Sequence, residues 1–333
     1  MESTGHAADM GSGKMSSGDS VHSWRDTLPV SMVSKSELSV WSVLKKCIGK
    51  DLTRISVPVV FNEPLSFLQR LAEYMEYAEL LERASKCADV TERFEYVAAF
   101  IVSSLSCNYL RLSKPFNPLW FETYELDRSD ENGYRFIAEQ VSHHPPKSAF
   151  HAESKSYEFD GVVSPRLKFW GTSIEVQPSG SFRLKFLKEK ALRAIYGNWT
   201  TFLATCEITN FEFRYDDWLE IGRQFFQNCS AVMYNFTSFT FLLNDPSGIT
   251  NLLPPTDSRR RPDIRLLETG QAEAAEKEKE RLEVKQRQAR ALMKKTREKL
   301  PKWFEKVTSK DQLLWMFTYK YWNREYYDCE DIY

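Results

Sequence analysis

Residues Glu139 to Pro146 read Glu-Gln-Val-Ser-His-His-Pro-Pro, and the rest of the 333-residue chain is best understood outward from them. Pro145 and Pro146 cannot donate backbone hydrogen bonds, and Pro145 keeps His144 out of the helical region, so two imidazoles are held at the end of a strand. Paired imidazoles suit a phosphate, because each ring donates N–H bonds and a nearby phosphate favours the charged ring. Taken alone, a His-His pair at a strand end is more often ordinary polar surface. His143, His144 and His151 lack a recognisable metal-ligand spacing, so no metal site is expected.

Between Gly133 and Phe186 the hydrophobic period is two: Tyr134, Phe136 and Ala138, then Phe182, Leu184 and Phe186, alternate with polar residues, and Lys168 to Gly171 sit mid-strand. This predicts an antiparallel meander. Alternation returns at Val232 to Leu243 and ends in a turn at Asp245 to Gly248. Upstream, Pro64 to about Arg111 reads as a helical pair broken near Ala88 and Asp89, with Pro64 in the first turn. Such a pair should lie against the sheet. Leu52 to Asn62 is an extended linker or edge strand, and Ser39 to Lys50 a short amphipathic helix with Val40, Trp41, Val43, Leu44 and Ile48 on one side.

Downstream, Ala272 to Lys299 predicts a charged helix that, standing alone, is a solvated face. Within it Lys279, Glu283 and Arg287 stand four apart and share a side, a spacing that also describes intrahelical ion pairs. The aromatic tail from Trp303 to Tyr333 must dock on something.

Composition excludes several classes. A net charge of −1 argues against nucleic acid as a partner, which needs a concentrated excess of Lys and Arg. The six cysteines show no CxxC pair and read as reduced thiols. Residues 1–38 predict a disordered extension without a signal peptide, and no apolar run spans a bilayer. The Asn-x-Ser/Thr sequons at Asn198, Asn228 and Asn235 then carry no weight. There is no GxSxG, and Gly11 to Met15 fails as a phosphate loop, so no catalytic residue is assigned and no cofactor is expected.

The eight residues at Glu139 to Pro146 resemble the fingerprint of the oxysterol-binding-protein family, nearest its type one and type two subgroup. Lys114-Pro115-Phe116-Asn117-Pro118, Phe61 to Ser66, Leu253 to Asp257, Tyr234 to Thr237 and Asp331 to Tyr333 resemble further family elements. The resemblance implies an α+β fold, an incomplete antiparallel β-barrel around a central lipid tunnel, filling residues 39–333. It has an N-terminal lid at about 39–52, the helical pair and the C-terminal charged helix. It implies a sterol or phosphatidylinositol 4-phosphate as ligand, one excluding the other, exchanged between membranes that are contacted transiently. By the same resemblance His143, His144, Lys114, Asn117, Lys279, Glu283 and Arg287 meet the phosphoinositide headgroup. Trp41, Leu44, Ile48, Leu52 and Ile55 belong to the lid and the lipid tail. The location implied is cytoplasmic, peripheral at intracellular membranes.

Two departures stand out. The family element after Asn117-Pro118 continues Leu-Leu-Gly-Glu, where this chain has Leu119-Trp120-Phe121-Glu122, which puts the close backbone approach of a glycine in question. After Leu187 the chain passes within a few residues to Ala194 to Thr200, a stretch the family reaches only after several more strands, so the barrel wall near 188–230 is shortened. A tunnel shielding roughly 400 Å² of sterol contributes on the order of 10 kcal/mol only if its wall is closed. The alternative is therefore a lipid-sensing scaffold that binds headgroups without carrying lipid. No acidic diphenylalanine motif for contact-site receptors is visible, since Gln224 to Gln227 lacks the acidic flank. Arg259-Arg260-Arg261 is expected as a basic patch for acidic lipids, or else a solvated loop.

Overall fold

The computed structural model describes residues 25–32, 57–108, 111, 113–169, 174–177, 180–187, 193–198, 202–207, 231–247, 252–295, 299–309 and 312–333. The lid residues Trp41, Leu44, Ile48, Leu52 and Ile55 lie outside them. In chain order come β1 (Asn62–Ser66), α1 (Phe67–Ala72), α2 (Glu79–Lys86), α3 (Val90–Ser106), β2 (Lys114–Phe116), β3 (Thr123–Arg128), β4 (Tyr134–His143), β5 (Pro146–Ser154) and β6 (Tyr157–Val163). After them come β7 (Arg166–Phe169), β8 (Ile174–Gln177), β9 (Gly180–Phe186), β10 (Arg193–Asn198), β11 (Phe202–Glu207), α4 (Ser238–Leu242), α5 (Pro262–Glu268), α6 (Ala272–Lys295), β12 (Phe304–Ser309) and β13 (Gln312–Phe317).

Strands β3-β4-β5-β6-β9 form one open antiparallel sheet of five strands, which is the expected meander with the β7–β8 hairpin inserted before its last strand. Because side chains alternate across a strand, β4 sends Phe136 and Ala138 to one face and Ile137 and Val141 to the other. Both faces are covered. On the first, Leu68, Leu71, Met75, Leu81 and Phe100 pack against Tyr124, Phe136, Phe150 and Phe159, so the helices lie on the sheet as predicted. On the second, Trp303, Phe304, Phe317 and Tyr321 pack on Ile137, Val141 and Ala149, which is where the aromatic tail docks. Glu139 secures that tail: its carboxylate accepts the backbone N–H groups of Lys302 and Trp303, each at 3.0 Å.

Local chemistry explains where the elements depart from the predicted ones. Pro64 lies in β1, and the helix begins three residues later, because Ser66 is an N-cap closed by a capping box with Gln69. Asp89 caps α3 by accepting Glu92 N–H at 2.8 Å, which accounts for the break foreseen there. The alternation at Val232 to Leu243 is not a strand. Tyr234 and Asn235 take positive φ of 60° and 55°, and Thr237 caps α4 by accepting Thr240 N–H at 3.2 Å. Of Lys168 to Gly171, Phe169 ends β7, and Trp170 and Gly171 lie outside the described residues. Part of the expected disordered extension is docked: Leu28 is buried in the main core and Met32 N–H bonds Val232 O at 2.8 Å. Nor is the charged helix solvated all round, since Ala275 and Leu282 are fully buried.

The expected basic patch is not displayed on the surface as a triplet. Arg259 and Arg261 are 3% and 2% exposed, held by Asp257 and by Glu122 with Asp263, and Arg260 Nη2 donates to Leu253 O at 3.1 Å. The triplet alternates within a tight turn between Asp257 and Asp263, so two of its charges face inward carboxylates.

Candidate functional site: a basic cavity behind the histidine hairpin

The β4–β5 hairpin carries the histidines. His143 pairs with Pro146 across its tip, the His144–Pro145 peptide is cis, and Ser142 Oγ donates to Pro145 O at 2.8 Å. The two imidazoles sit with centroids 4.5 Å apart. β2 supplies the next cation. Asn62 on β1 donates to Lys114 O at 3.0 Å and Pro115 O at 3.3 Å, fixing this strand, while Lys114 Nζ donates to Asn117 Oδ1 at 2.5 Å. Opposite them runs α6, whose Lys279, Leu282, Glu283, Gln286, Arg287 and Arg290 recur at three- and four-residue steps and form one stripe.

These elements enclose a cavity of about 210 Å³. The seven residues His143, His144, Lys114, Asn117, Lys279, Glu283 and Arg287 all line it. The intrahelical ion pairs form, with Glu283 4.0 Å from Lys279 and 3.9 Å from Arg287, and all three residues also line the cavity. Sequence reasoning missed Asn62, Gln286 and Arg290, which also line it, and expected Arg261 in a surface patch instead of in this wall. For Gln286 and Arg290 a signal was present, since they continue the same helical stripe. For Arg261 there was none, as its side chain reaches the wall through its bond to Asn117 O at 2.9 Å.

The lining is a concentration of positive charge. Removal from water, then the neighbouring Lys279, bring the Lys114 amine down to about 8. Burial, with His144 and Arg290 beside it, brings the His143 ring down to about 4. A cavity that penalises its own cations in this way gains when an anion enters.

The His143 ring titrates lower in the folded chain than the ordinary 6.5, so the unfolded chain binds more protons between those values. Stability should therefore be intact above pH 6.5 and fall as pH drops towards about 4, by up to about 3 kcal/mol. Chemical denaturation across that range should show a shallower loss for His143→Gln than for the wild type.

His151, set aside above as a metal ligand, is a buried group on the face of the sheet that the aromatic tail covers. It bridges Asp160 at 2.7 Å and Glu153 at 3.0 Å and stacks on Phe317. Among the described residues no group of three His, Cys, Asp or Glu could hold a metal ion. The glycine departure has a structural counterpart: Phe121 adopts φ of 69°, the region that favours glycine, with its ring stacked on Trp120 at 4.7 Å. A bulky residue there costs on the order of 1–2 kcal/mol.

Comparison with known proteins adds a lineage. The family model described as oxysterol-binding protein matches residues 39–213 and 188–326. The chain is 35% identical to oxysterol-binding protein-related protein 1 of Homo sapiens, an alignment that covers 93% of this chain and 44% of that protein. It is also 35% identical to oxysterol-binding protein-related protein 2 of Mus musculus, covering 93% of this chain and 88% of that one. The first alignment runs over 421 residues, more than the 333 of the whole chain, so it crosses gaps that this chain does not fill. In structure it resembles the Osh1 ORD domain solved with ergosterol, with a TM-score of 0.80, 29% identity, and coverage of 93% of this chain and 94% of that one. The Osh3 ORD of Saccharomyces cerevisiae solved with PI(4)P gives a TM-score of 0.71 and 34% identity, covering 93% and 98%.

Proposed function

The chain belongs to the oxysterol-binding-protein family, and from that premise we propose that it binds phosphatidylinositol 4-phosphate by its headgroup in the basic cavity and exchanges it for a sterol between membranes. The observation that carries this reading is the convergence of His143, His144, Lys114, Lys279, Arg287 and Arg290 on one cavity with Glu283 as the carboxylate among them. A phosphate monoester answers that balance, and the hydroxyls of an inositol ring answer Asn117 and Glu283.

At about 210 Å³ the cavity is smaller than sites that take a whole drug-sized ligand, so it accommodates a headgroup and leaves acyl chains or a sterol to an apolar tunnel next to it. That tunnel, and a lid formed by Trp41, Leu44, Ile48, Leu52 and Ile55, are part of the proposal. Among the described residues no helix is long and apolar enough to cross a membrane, and we infer transient peripheral contact. Family and fold are lipid-binding ones, and nothing in the cavity is arranged as a nucleophile with its base, so the reading assigns no catalysis.

A second reading, a lipid-sensing scaffold, is favoured by the gapped alignment and the open sheet. One experiment separates the two. Purified protein is mixed with donor vesicles carrying a fluorescent sterol and acceptor vesicles carrying phosphatidylinositol 4-phosphate. Counter-movement of the two lipids is expected. Saturable binding without movement would leave the scaffold, and no binding at all would remove both.

A further inference from the structure

His143 stands between a hairpin and a helix, and its two ring nitrogens meet different surroundings. Nδ1 lies 3.0 Å from the Gln286 side-chain amide nitrogen on α6, and this nitrogen can only donate. A ring nitrogen that accepts carries no proton, so in the neutral imidazole the proton sits on Nε2. Among the described residues Nε2 has no protein partner, and the ring lines the cavity.

The charged groups facing the ring act in the same direction. His144 lies on the same hairpin at 4.5 Å between centroids, and Arg290 projects from α6 one turn beyond Gln286. Both are cationic or potentially so, and both oppose a second proton on His143. An imidazole left to itself can place its proton on either nitrogen, and the form with Nδ1–H would turn a lone pair towards an incoming phosphate. The helix removes that option.

We propose that Gln286 is a positioning residue that fixes His143 in the Nε2–H tautomer, so that the ring meets a phosphate monoester as a hydrogen-bond donor from the first contact. This rests on the cavity being a phosphate site, and it assigns a task to a residue outside the seven that the sequence singled out. Gln286 reaches this place because the stripe repeats at three and four residues: Glu283, Gln286, Arg287 and Arg290 present carboxylate, amide and two guanidinium groups in succession along one wall.

The full chain labelled with ¹⁵N-histidine, without ligand, tests this directly, the His143 signals being identified by their loss in His143→Gln. In the wild type Nδ1 should resonate as an unprotonated nitrogen and Nε2 as a protonated one. Gln286→Met, close in volume and without a donor, should give a mixture of tautomers. Gln286→Glu, whose carboxylate accepts, should move the proton to Nδ1. Binding of Gln286→Met to phosphatidylcholine vesicles containing phosphatidylinositol 4-phosphate should weaken roughly three- to tenfold. A protonated Nδ1 in the wild type, or an unchanged tautomer and affinity in Gln286→Met, would overturn the proposal. Wild-type protein that ignores these vesicles would remove the phosphate-site reading instead, and the ring spectra would still decide what Gln286 does.

Discussion

Replacing Arg261 by Met should destabilise the fold by about 3–5 kcal/mol, which chemical denaturation measures directly. The residue is 2% exposed, and its guanidinium donates to Glu122 Oε2 at 2.8 Å, to Asp263 at 3.0 and 2.7 Å, and to Asn117 O at 2.9 Å. Glu122 and Asp263 are themselves fully buried, so the substitution strands two carboxylates in the interior. Glu122 keeps its bonds from Ser66, from Ser258 at 2.7 Å and from Leu119 N–H at 2.9 Å, but these are neutral donors and do not offset the charge. Because the same guanidinium holds Asn117 O, cavity binding should weaken in parallel. Adding Glu122→Gln and Asp263→Asn should restore much of the stability, since the cost arises from unpaired charge more than from lost contacts. A loss below about 1 kcal/mol would mean that Arg261 behaves as a surface ion pair and not as a buried one.

That residue also marks where the sequence stops being readable. Arg259-Arg260-Arg261 has the composition of a basic surface patch, and only the fold places Asp257, Glu122 and Asp263 against two of the three. Pairing across 139 residues, as between Arg261 and Glu122, leaves no local trace. The cavity was far more legible. His143 and His144 share one hairpin tip, Lys114 and Asn117 one short segment, and Lys279, Glu283 and Arg287 one helix face. Each group is set by local geometry, and resemblance to a family joined the three. The strand assigned to Val232 to Leu243 failed for the opposite reason: its alternating pattern was real, but the Thr237 cap and the left-handed Tyr234 and Asn235 prevailed over it. The helical pair and the docking of the tail were legible because apolar area must be buried somewhere, and the sheet between them offers two faces.

His143→Ala combined with His144→Ala should abolish extraction of phosphatidylinositol 4-phosphate from vesicles, by about a hundredfold or more in affinity, while sterol binding persists. Hydrogen bonds to a charged group are worth about 1.5–3 kcal/mol each, and two rings at the mouth of one cavity act on the same phosphate. The double variant should fold, because both rings stand at a hairpin tip and removing His143 relieves a ring whose charging is opposed by burial, His144 and Arg290. Its phosphoinositide affinity should also lose the part of its pH dependence that the imidazoles carry, leaving that of Lys114 near pH 8. In the wild type a bound phosphate favours the imidazolium, whose new Nδ1–H requires the Gln286 amide to turn its oxygen to the ring, so the complex takes up protons that the empty protein refuses, and affinity rises as pH falls through the range where the bound ring titrates. Without the rings that linkage disappears. Unchanged extraction would remove the headgroup assignment. Loss of sterol binding together with phosphoinositide binding, in protein that still unfolds cooperatively, would mean that the hairpin supports the whole lipid compartment and does not act through phosphate recognition alone.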